Sequence, residues 1–396
     1  MASARALLEA LRAAKPEAMP GSKSGASLLR LPPGVRWPQL ADAPLFVRHF
    51  YRDCFEGPLE ALQPGGRYTI IGNAGSAWGM AGRVAYCCRG PDGSGLCVAR
   101  KSCAMSSTSG DGRLPPSFPP PLPPPFLSRL LLIAVGKSAF GLYLLWQAVR
   151  EGRTTVYISD KAVGCTIFHA DGQAEIRDKA AFTDVLPELR EPSTVLIYDG
   201  NGEGKGSPPH VPATTVLITS PKRSRFSEFE KEGGDLMFFP VFTRAEIADL
   251  LEAAFPALHS PEGRTGVWER YDRWGGIPRY VLKRITAAAQ RRLPGALTNL
   301  RFDKLAMVLG HEEDEGVFFE DDSSISHRLF HLKPRGETDN GFVGGATADA
   351  YLLHRTEMAS PVVKEMVYAA MLKQRSEELN KLLALPTTNP SVAKFM

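Results

Sequence analysis

The sequence predicts an α/β protein in which a parallel sheet is covered by helices, with a mostly helical region after it. Three observations carry that prediction. Short apolar runs alternate with helical stretches through residues 135–258, and strands separated by helices form parallel sheets because the chain must cross back between them. A strand-like run, Tyr68-Thr69-Ile70-Ile71, leads directly into Gly72-Asn73-Ala74-Gly75. Val135-Gly136-Lys137-Ser138 then opens a helical run, which is how a phosphate-binding loop ends.

The elements follow in chain order. Residues 1–35 are expected to be a loosely ordered leader with Pro-Gly-Ser-Lys-Ser-Gly at its centre. Residues 36–75 and 135–258 are expected to form the core. After Tyr68–Ile71, Ser138 to Arg150 reads as a helix with Phe140, Leu144, Leu145 and Val149 on one side. Thr154–Ile158 is a strand. Cys165–His169 and Ala174–Ile176 flank Asp171-Gly172 and read as a hairpin, Asp-Gly being a turn signal. Ala181–Leu189 is a short helix, Thr194–Tyr198 a buried strand ending in Asp199, and Thr214–Ile218 a strand ending at Thr219-Ser220-Pro221. Phe226–Glu232 is a helix and Leu236–Phe239 a strand. Thr243 with Glu246 three residues on forms a capping box. Residues 259–396 read as a mostly helical lid or C-terminal region, with Ser360–Leu383 its longest helical run.

Composition narrows the function classes. At 396 residues, 43% hydrophobic and 23% charged, the chain is long enough for two or so domains with a sizeable core. A net charge of +4 is too mild to imply nucleic acid by itself. No run has the length of a membrane span. The N-terminus lacks the continuous apolar core of a secretory signal, so an intracellular protein is expected. Six cysteines in such a length do not make a disulfide scaffold. Cys87, Cys88, Cys97 and Cys103 lack paired C-x-x-C spacing, so incidental thiols are expected rather than a zinc site.

Residues 76–134 break the α/β rhythm. They are rich in Gly, Ser and Cys, then run through Leu114-Pro115-Pro116-Ser117-Phe118 into prolines as far as Pro125. One reading is a polyproline II linker or partner-binding insert. The preferred reading is a translated intron, since Pro, Ser, Phe and Leu can all be encoded by pyrimidine-rich codons of the kind that precede an acceptor site. With Ser76 as AGT and Ala134-Val135 as GCA-GTN, excision leaves Gly-Asn-Ala-Gly-Ile-Gly-Lys-Ser in frame.

The joined halves are a complete phosphate loop. Its chemistry rests on successive backbone N–H groups and a helix N-terminus converging on phosphate. Gly72, Asn73, Ala74, Gly75 and Gly136 would form the nest, Lys137 would reach the β- and γ-phosphates, and Ser138 would hold Mg²⁺. Asp199 ends the apolar run Val195-Leu196-Ile197-Tyr198, the place of a second Mg²⁺-holding acid. The next residue is Gly200, where many ATPases carry a water-activating glutamate, so slow hydrolysis is expected unless a base such as Glu203 serves. Thr219 and Ser220 are candidate γ-phosphate sensors, with a simple strand-end turn as the alternative. Arg279, in Trp274-Gly275-Gly276-Ile277-Pro278-Arg279-Tyr280, is a candidate lid arginine or a structural one. Lys222, Arg223 and Arg225 read as a solvated basic patch. His327 and His331 have helical metal-ligand spacing, but the strand-like alternation around Leu329 and Phe330 argues for core packing. The acidic run Glu312–Glu315 reads as a solvated loop.

The order of these pieces resembles one family. Leu45-Phe46-Val47-Arg48 with Tyr51, the strand and split loop, Ile197-Tyr198-Asp199-Gly200, Leu217-Ile218-Thr219-Ser220-Pro221, Gly275-Gly276-Ile277-Pro278-Arg279 and Ser326-His327-Arg328-Leu329-Phe330-His331 resemble the NTPase module of Crinkler effectors. They also resemble the retrotransposon hot spot proteins that share it. The resemblance covers residues 45–75 and 135–370. It implies a P-loop NTPase of AAA- or STAND-like fold, with ATP and Mg²⁺ as cofactors and Lys137, Asp199 and Arg279 as the catalytic set. It also implies nuclear or host-delivered localisation. Three departures stand beside it. The loop is split, the sequence stops at Met396 where a nuclease-type domain would be expected to follow, and the leader has no clear Leu-Phe-Leu-Ala-Lys delivery motif. Nuclease action and host delivery are therefore not expected of this chain, and nucleic acid is expected as a partner only through a missing nuclease-type domain. Two other classes remain: a non-catalytic protein that recruits a partner through the proline-rich segment or self-associates, and a P-loop small-molecule kinase. The helical C-terminal region and the Gly-Gly-Ile-Pro-Arg segment favour the NTPase over the kinase.

Overall fold

A computed structural model describes residues 4–38, 44–56, 64–71, 136–159, 164–178, 186–200, 208–221, 223–298, 300, 305, 328–334, 337–338, 341–342, 351–352 and 354–374. The chain divides into two compact units, residues 1–78 with 131–396, and residues 79–130. The second unit lies outside the described residues, as do Gly72–Gly75, Glu203, the acidic run and His327.

The N-terminal segment differs from the expected loose leader. It forms helix α1 (Ala4–Ala13) and strands β1 (Pro16–Ala18) and β2 (Ser27–Leu29), and β2 pairs antiparallel with β3 (Leu45–Val47). The physical reason is burial. Leu7, Leu8 and Leu11 of α1 join the same core as the central helix, and the polar turn between β1 and β2 is held by a buried carboxylate. Ser22 Oγ donates to Asp249 at 2.7 Å, the Lys23 and Ser24 amides donate to it at 3.1 and 3.0 Å, and Ser24 Oγ adds a further bond. A turn read as disordered from its composition is ordered by a partner more than two hundred residues away.

Helix α2 (His49–Glu56) follows, then β4 (Arg67–Ile71), α3 (Lys137–Arg150), β5 (Thr155–Ser159), β6 (Gly164–Phe168), β7 (Ala174–Asp178), β8 (Val195–Asp199), β9 (Thr214–Thr219), α4 (Ser227–Lys231) and β10 (Asp235–Phe238). These strands make one seven-stranded sheet in the order β10-β4-β9-β8-β5-β6-β7. The first five are mutually parallel and the hairpin β6–β7 is antiparallel. The expected α/β class, with a mostly parallel sheet flanked by helices, is present.

Helix α3 covers one face. It buries eleven of its fourteen residues, more than the one-sided stripe the sequence suggested. The sheet lies beneath it while α1, α2 and β3 pack against it, so α3 is a central helix and reads apolar all round. At Gly141 an added Cβ would lie 2.5 Å from Ile218 Cδ1, which shows how closely α3 lies on β9. The other face buries Val156, Ile158, Ile167 and Leu196 against Leu186, Leu189 and Val211, and buries Ile71, Leu217 and Phe238 against Phe226 and Phe229 of the α4 segment.

Beyond the sheet come α5 (Arg244–Ala254), α6 (Pro261–Trp274), a π-helical turn (Arg279–Lys283), α7 (Ala287–Gln290) and α8 (Arg292–Thr298). The C-terminal region is not purely helical. Strand β11 (Phe330–Pro334) pairs antiparallel with β14 (His354–Met358), and β12 (Glu337–Thr338) pairs with β13 (Gly341–Phe342), before α9 (Pro361–Gln374). His331 is buried in β11, in line with its strand-like alternation. The expected capping box is present: Thr243 Oγ1 accepts from the Glu246 amide at 3.2 Å, and Glu246 Oε2 accepts from the Thr243 amide at 2.9 Å.

Candidate functional site

Parallel sheets bind ligands beyond the carboxyl ends of their strands, and that edge is where this chain collects its predicted polar groups. Cross-strand register aligns Met237, Ile70, Ile218, Asp199 and Ser159 in one row. Side chains alternate between faces along a strand, so this row lies on the α3 side, with Ile197 and Tyr157 one step behind it. Asp199 is 3% exposed and Ser159 is equally buried. Burial first, and then the Asp199 charge, push the Tyr157 phenol well above its usual range. Tyr157 therefore stays neutral beside Asp199.

The N-terminus of α3 comes to the same edge. The Phe239 amide donates to the Ile71 carbonyl at 2.8 Å, and the Phe239 ring meets the Phe140 ring edge-on, with centroids 4.6 Å apart. The first turn of α3 is thereby tied to the carboxyl end of β4. Ile71 and Gly136, the described residues on either side of 72–135, thus belong to one edge of one sheet. Gly136 takes φ 86° and ψ −153°, a region that L side chains rarely adopt, and as the N-cap residue it brings no side chain to cap α3. Lys137 is 1% exposed, which is rare for a lysine. Ser138 is half-buried beside it. Gly136, Lys137, Ser138 and Asp199 thus share the α3 side of the carboxyl edge.

The other predicted residues are placed differently. Thr219 pairs in register with Ile71 and shares its face, the side away from α3. It is fully buried, and among the described residues its hydroxyl has no hydrogen-bond partner. Ser220 follows the strand and is half-buried. Gly200 continues the pairing, its amide donating to the Ile218 carbonyl at 2.9 Å. Arg279 lies in the π-helical turn. Burial, the neighbouring Arg284 cation and, against the pull of Tyr280, Arg292 lower its guanidinium from the ordinary value. Lys283 is lowered by burial and by Arg279 and Arg284, so this turn concentrates positive charge.

The Gly275-Gly276 pair beside Arg279 has a structural reason. An added Cβ on Gly276 would lie 1.9 Å from the Phe242 carbonyl oxygen, and one on Gly275 would lie 2.2 Å from that of Ala359. The Phe242 amide also donates to the Gly276 carbonyl at 2.9 Å. The segment knits the entry to α5 to the end of β14.

Sequence reasoning left two contributors without a role. Ser159 aligns with Asp199, and its signal was a polar residue ending an apolar strand. Tyr51 donates from its hydroxyl to the Gly136 carbonyl at 2.8 Å; its spacing after Arg48 was visible but had no assigned purpose. Away from this edge, His169, Glu175 and Glu188 come together with metal-ligating chemistry. Arg177 already binds both carboxylates, reaching Glu188 at 2.9 Å, so this group is an ion-pair network. Among the described residues no helix is long and apolar enough to cross a membrane.

In sequence, this chain is similar to two curated proteins of one group. Crinkler effector protein 15 of Phytophthora infestans is 23% identical over 264 residues, 65% of this chain and 38% of that protein. Crinkler effector protein 16 of the same organism is 22% identical over 262 residues, again 65% of this chain and 38% of the relative. The chain thus spans less than half the length of the curated relatives it matches, and over the matched part it is Crinkler-like. No protein-family model matches, and no solved structure matches.

Proposed function

We propose that this Crinkler-like chain is a nucleoside-triphosphate-binding module of an effector-type protein, a P-loop NTPase that takes ATP with Mg²⁺ at the carboxyl edge of its sheet. The observation that carries the reading is a buried lysine opening α3 on the same side and edge as the buried Asp199. An ammonium and a carboxylate are retained in such places when a ligand or each other's field repays their desolvation. In this reading the α3 N-terminus and Lys137 take phosphate, Ser138 and Asp199 hold Mg²⁺, and the cationic Arg279 turn reports nucleotide state. The five parallel strands, with β4 inside the sheet and flanked by β10 and β9, agree with an AAA- or STAND-like core. Gly200 offers no carboxylate to activate water, so the module works as a binding switch with slow turnover unless a base such as Glu203, outside the described residues, serves.

The interruption at 76–134 favours a second reading, a non-catalytic interaction protein whose loop amides are no longer consecutive. One titration decides between them. A fluorescent ATP analogue with Mg²⁺ is titrated into the full chain and into Lys137→Ala. Binding that weakens at least about tenfold in Lys137→Ala, worth about 1.4 kcal/mol, supports the nucleotide module. Equal binding by the two proteins, or none by either, refutes it.

A further inference from the structure

We propose that Tyr51 is a positioning residue of the phosphate loop, fixing its last peptide so that the Lys137 amide faces bound polyphosphate; this rests on the nucleotide-binding reading above. Tyr51 is fully buried on α2, and a buried phenol needs a partner for its hydroxyl. It donates to the Gly136 carbonyl at 2.8 Å. The same oxygen accepts the first helical bond, from the Phe140 amide at 2.9 Å. Both of its lone pairs are thereby engaged on the protein side.

A trans peptide is planar, with its carbonyl and the following N–H pointing in opposite directions. Anchoring the Gly136 carbonyl to Tyr51 and to the helix therefore turns the Lys137 N–H the other way, out of the open end of α3. The restraint matters at this position. Gly136 has the widest backbone freedom of any residue type, and it has no side chain of its own with which to cap the helix. Tyr51 supplies from outside the helix the order that a cap would supply from within.

Tyr51 is itself held firmly. Its ring packs on Phe50, Phe140 and Tyr143 at centroid distances of 4.9, 5.1 and 5.7 Å. Three residues earlier, Arg48 fixes the start of α2 through two 2.7 Å bonds to Glu246. The geometry gives Arg48 and Tyr51 complementary tasks: one anchors the element and the other positions the loop.

The test uses the full chain and a fluorescent ATP analogue with Mg²⁺, well below the melting temperature of every variant. Tyr51→Phe keeps the ring and removes only the hydroxyl. Tyr271→Phe removes a similar tyrosine-to-carbonyl bond, from Tyr271 to Phe242 at 3.3 Å, far along the chain from the loop. The expected result is that Tyr51→Phe binds about threefold to tenfold more weakly, the scale of one hydrogen bond, while Tyr271→Phe binds like wild type. If wild type binds, Lys137→Ala does not, and Tyr51→Phe equals wild type, the positioning role is overturned and the nucleotide site stands. Equal weakening in both tyrosine variants overturns it as a general effect of fold stability. If wild type and Lys137→Ala bind alike or not at all, the site itself is refuted and the positioning role falls with it.

Discussion

Arg48 and Glu246 form a buried ion pair whose disruption has a calculable consequence. Their side chains are 3% and 8% exposed. The Arg48 guanidinium makes two 2.7 Å bonds to the Glu246 carboxylate and two 2.8 Å bonds to the Pro240 and Val241 carbonyls. It is sandwiched between the Phe50 and Phe242 rings, 4.3 and 4.0 Å from their centroids. Arg48→Met keeps the stem and removes the charge, leaving a buried carboxylate with the Thr243 capping groups alone. Breaking one side of such a pair costs about 3–5 kcal/mol. Glu246→Leu strands the arginine and also removes the carboxylate half of the capping box, while the Thr243 side-chain cap stays. The double variant removes both charges and should be destabilised by at least about 2 kcal/mol less than the sum of the single variants. Urea unfolding followed by tryptophan fluorescence measures all three. A cost below about 1 kcal/mol for Arg48→Met, or strict additivity in the double variant, would refute the buried-pair reasoning.

Other expectations follow from single features. Burial raises the Asp249 carboxyl, but bonds from Ser24, Ser22 and the two amides outweigh it and leave the group below its ordinary value. A carboxyl lowered by folding binds fewer protons folded than unfolded, so its stabilisation is full above the unfolded value of about 4 and fades as pH falls through the folded one. Acid titration of proteolysis at residues 19–25 should show the N-terminal clasp loosening in that window, and Asp249→Asn should flatten the dependence. Gly276→Ala, which would drive a Cβ to 1.9 Å from the Phe242 carbonyl, should cost more than about 3 kcal/mol and yield mostly insoluble protein; soluble protein with an unchanged melting temperature would contradict the close approach. A chain with residues 76–135 replaced by one isoleucine should bind the Mg²⁺·ATP analogue at least about tenfold more tightly than the full chain; equal affinity would show that the interruption is harmless. Genomic codons lacking GT and AG at the two junctions would end the translated-intron reading.

The sheet was legible because its signals are local. Apolar runs ending in Asp199 and Thr219, the Asp171-Gly172 turn and the Thr243–Glu246 box each declare themselves within a few residues. The hairpin strands β6 and β7 and the parallel strands β5, β8, β9 and β10 stand within a residue or two of their sequence assignments. What escaped was long-range. Nothing near Ser22 or Ser24 announces Asp249, and the polar turn reads as loose until that carboxylate is in place. The all-round burial of α3 depends on α1 and β3 covering its outer side, which no helical period within 137–150 encodes. Thr219 illustrates the same limit at the site. Its place at a strand end was correct, but the side it faces is fixed by pairing with Ile71, and register belongs to the sheet rather than to the segment. Tyr51 and Ser159 were visible as residues, but only the assembled edge gives them neighbours.

The split loop can be weighed on the same physical terms. Closing an excursion of about sixty residues costs on the order of 4 kcal/mol in chain entropy. Helix α3 is fixed independently by its eleven buried residues, and Phe239 ties its first turn to the end of β4. Full burial of one large apolar side chain contributes about 1.5–3 kcal/mol, so the packing of α3 outweighs the closure cost several times over. The sheet edge, Lys137 and Asp199 thus do not depend on a short connection between Ile71 and Gly136. Phosphate cradling does, because a nest is made of consecutive amides and the extra residues enter after Gly75. Fold and chemistry therefore separate here. The scaffold tolerates the interruption, and under the proposed nucleotide-binding reading the affinity for Mg²⁺·ATP is the quantity that an interruption after Gly75 would lower.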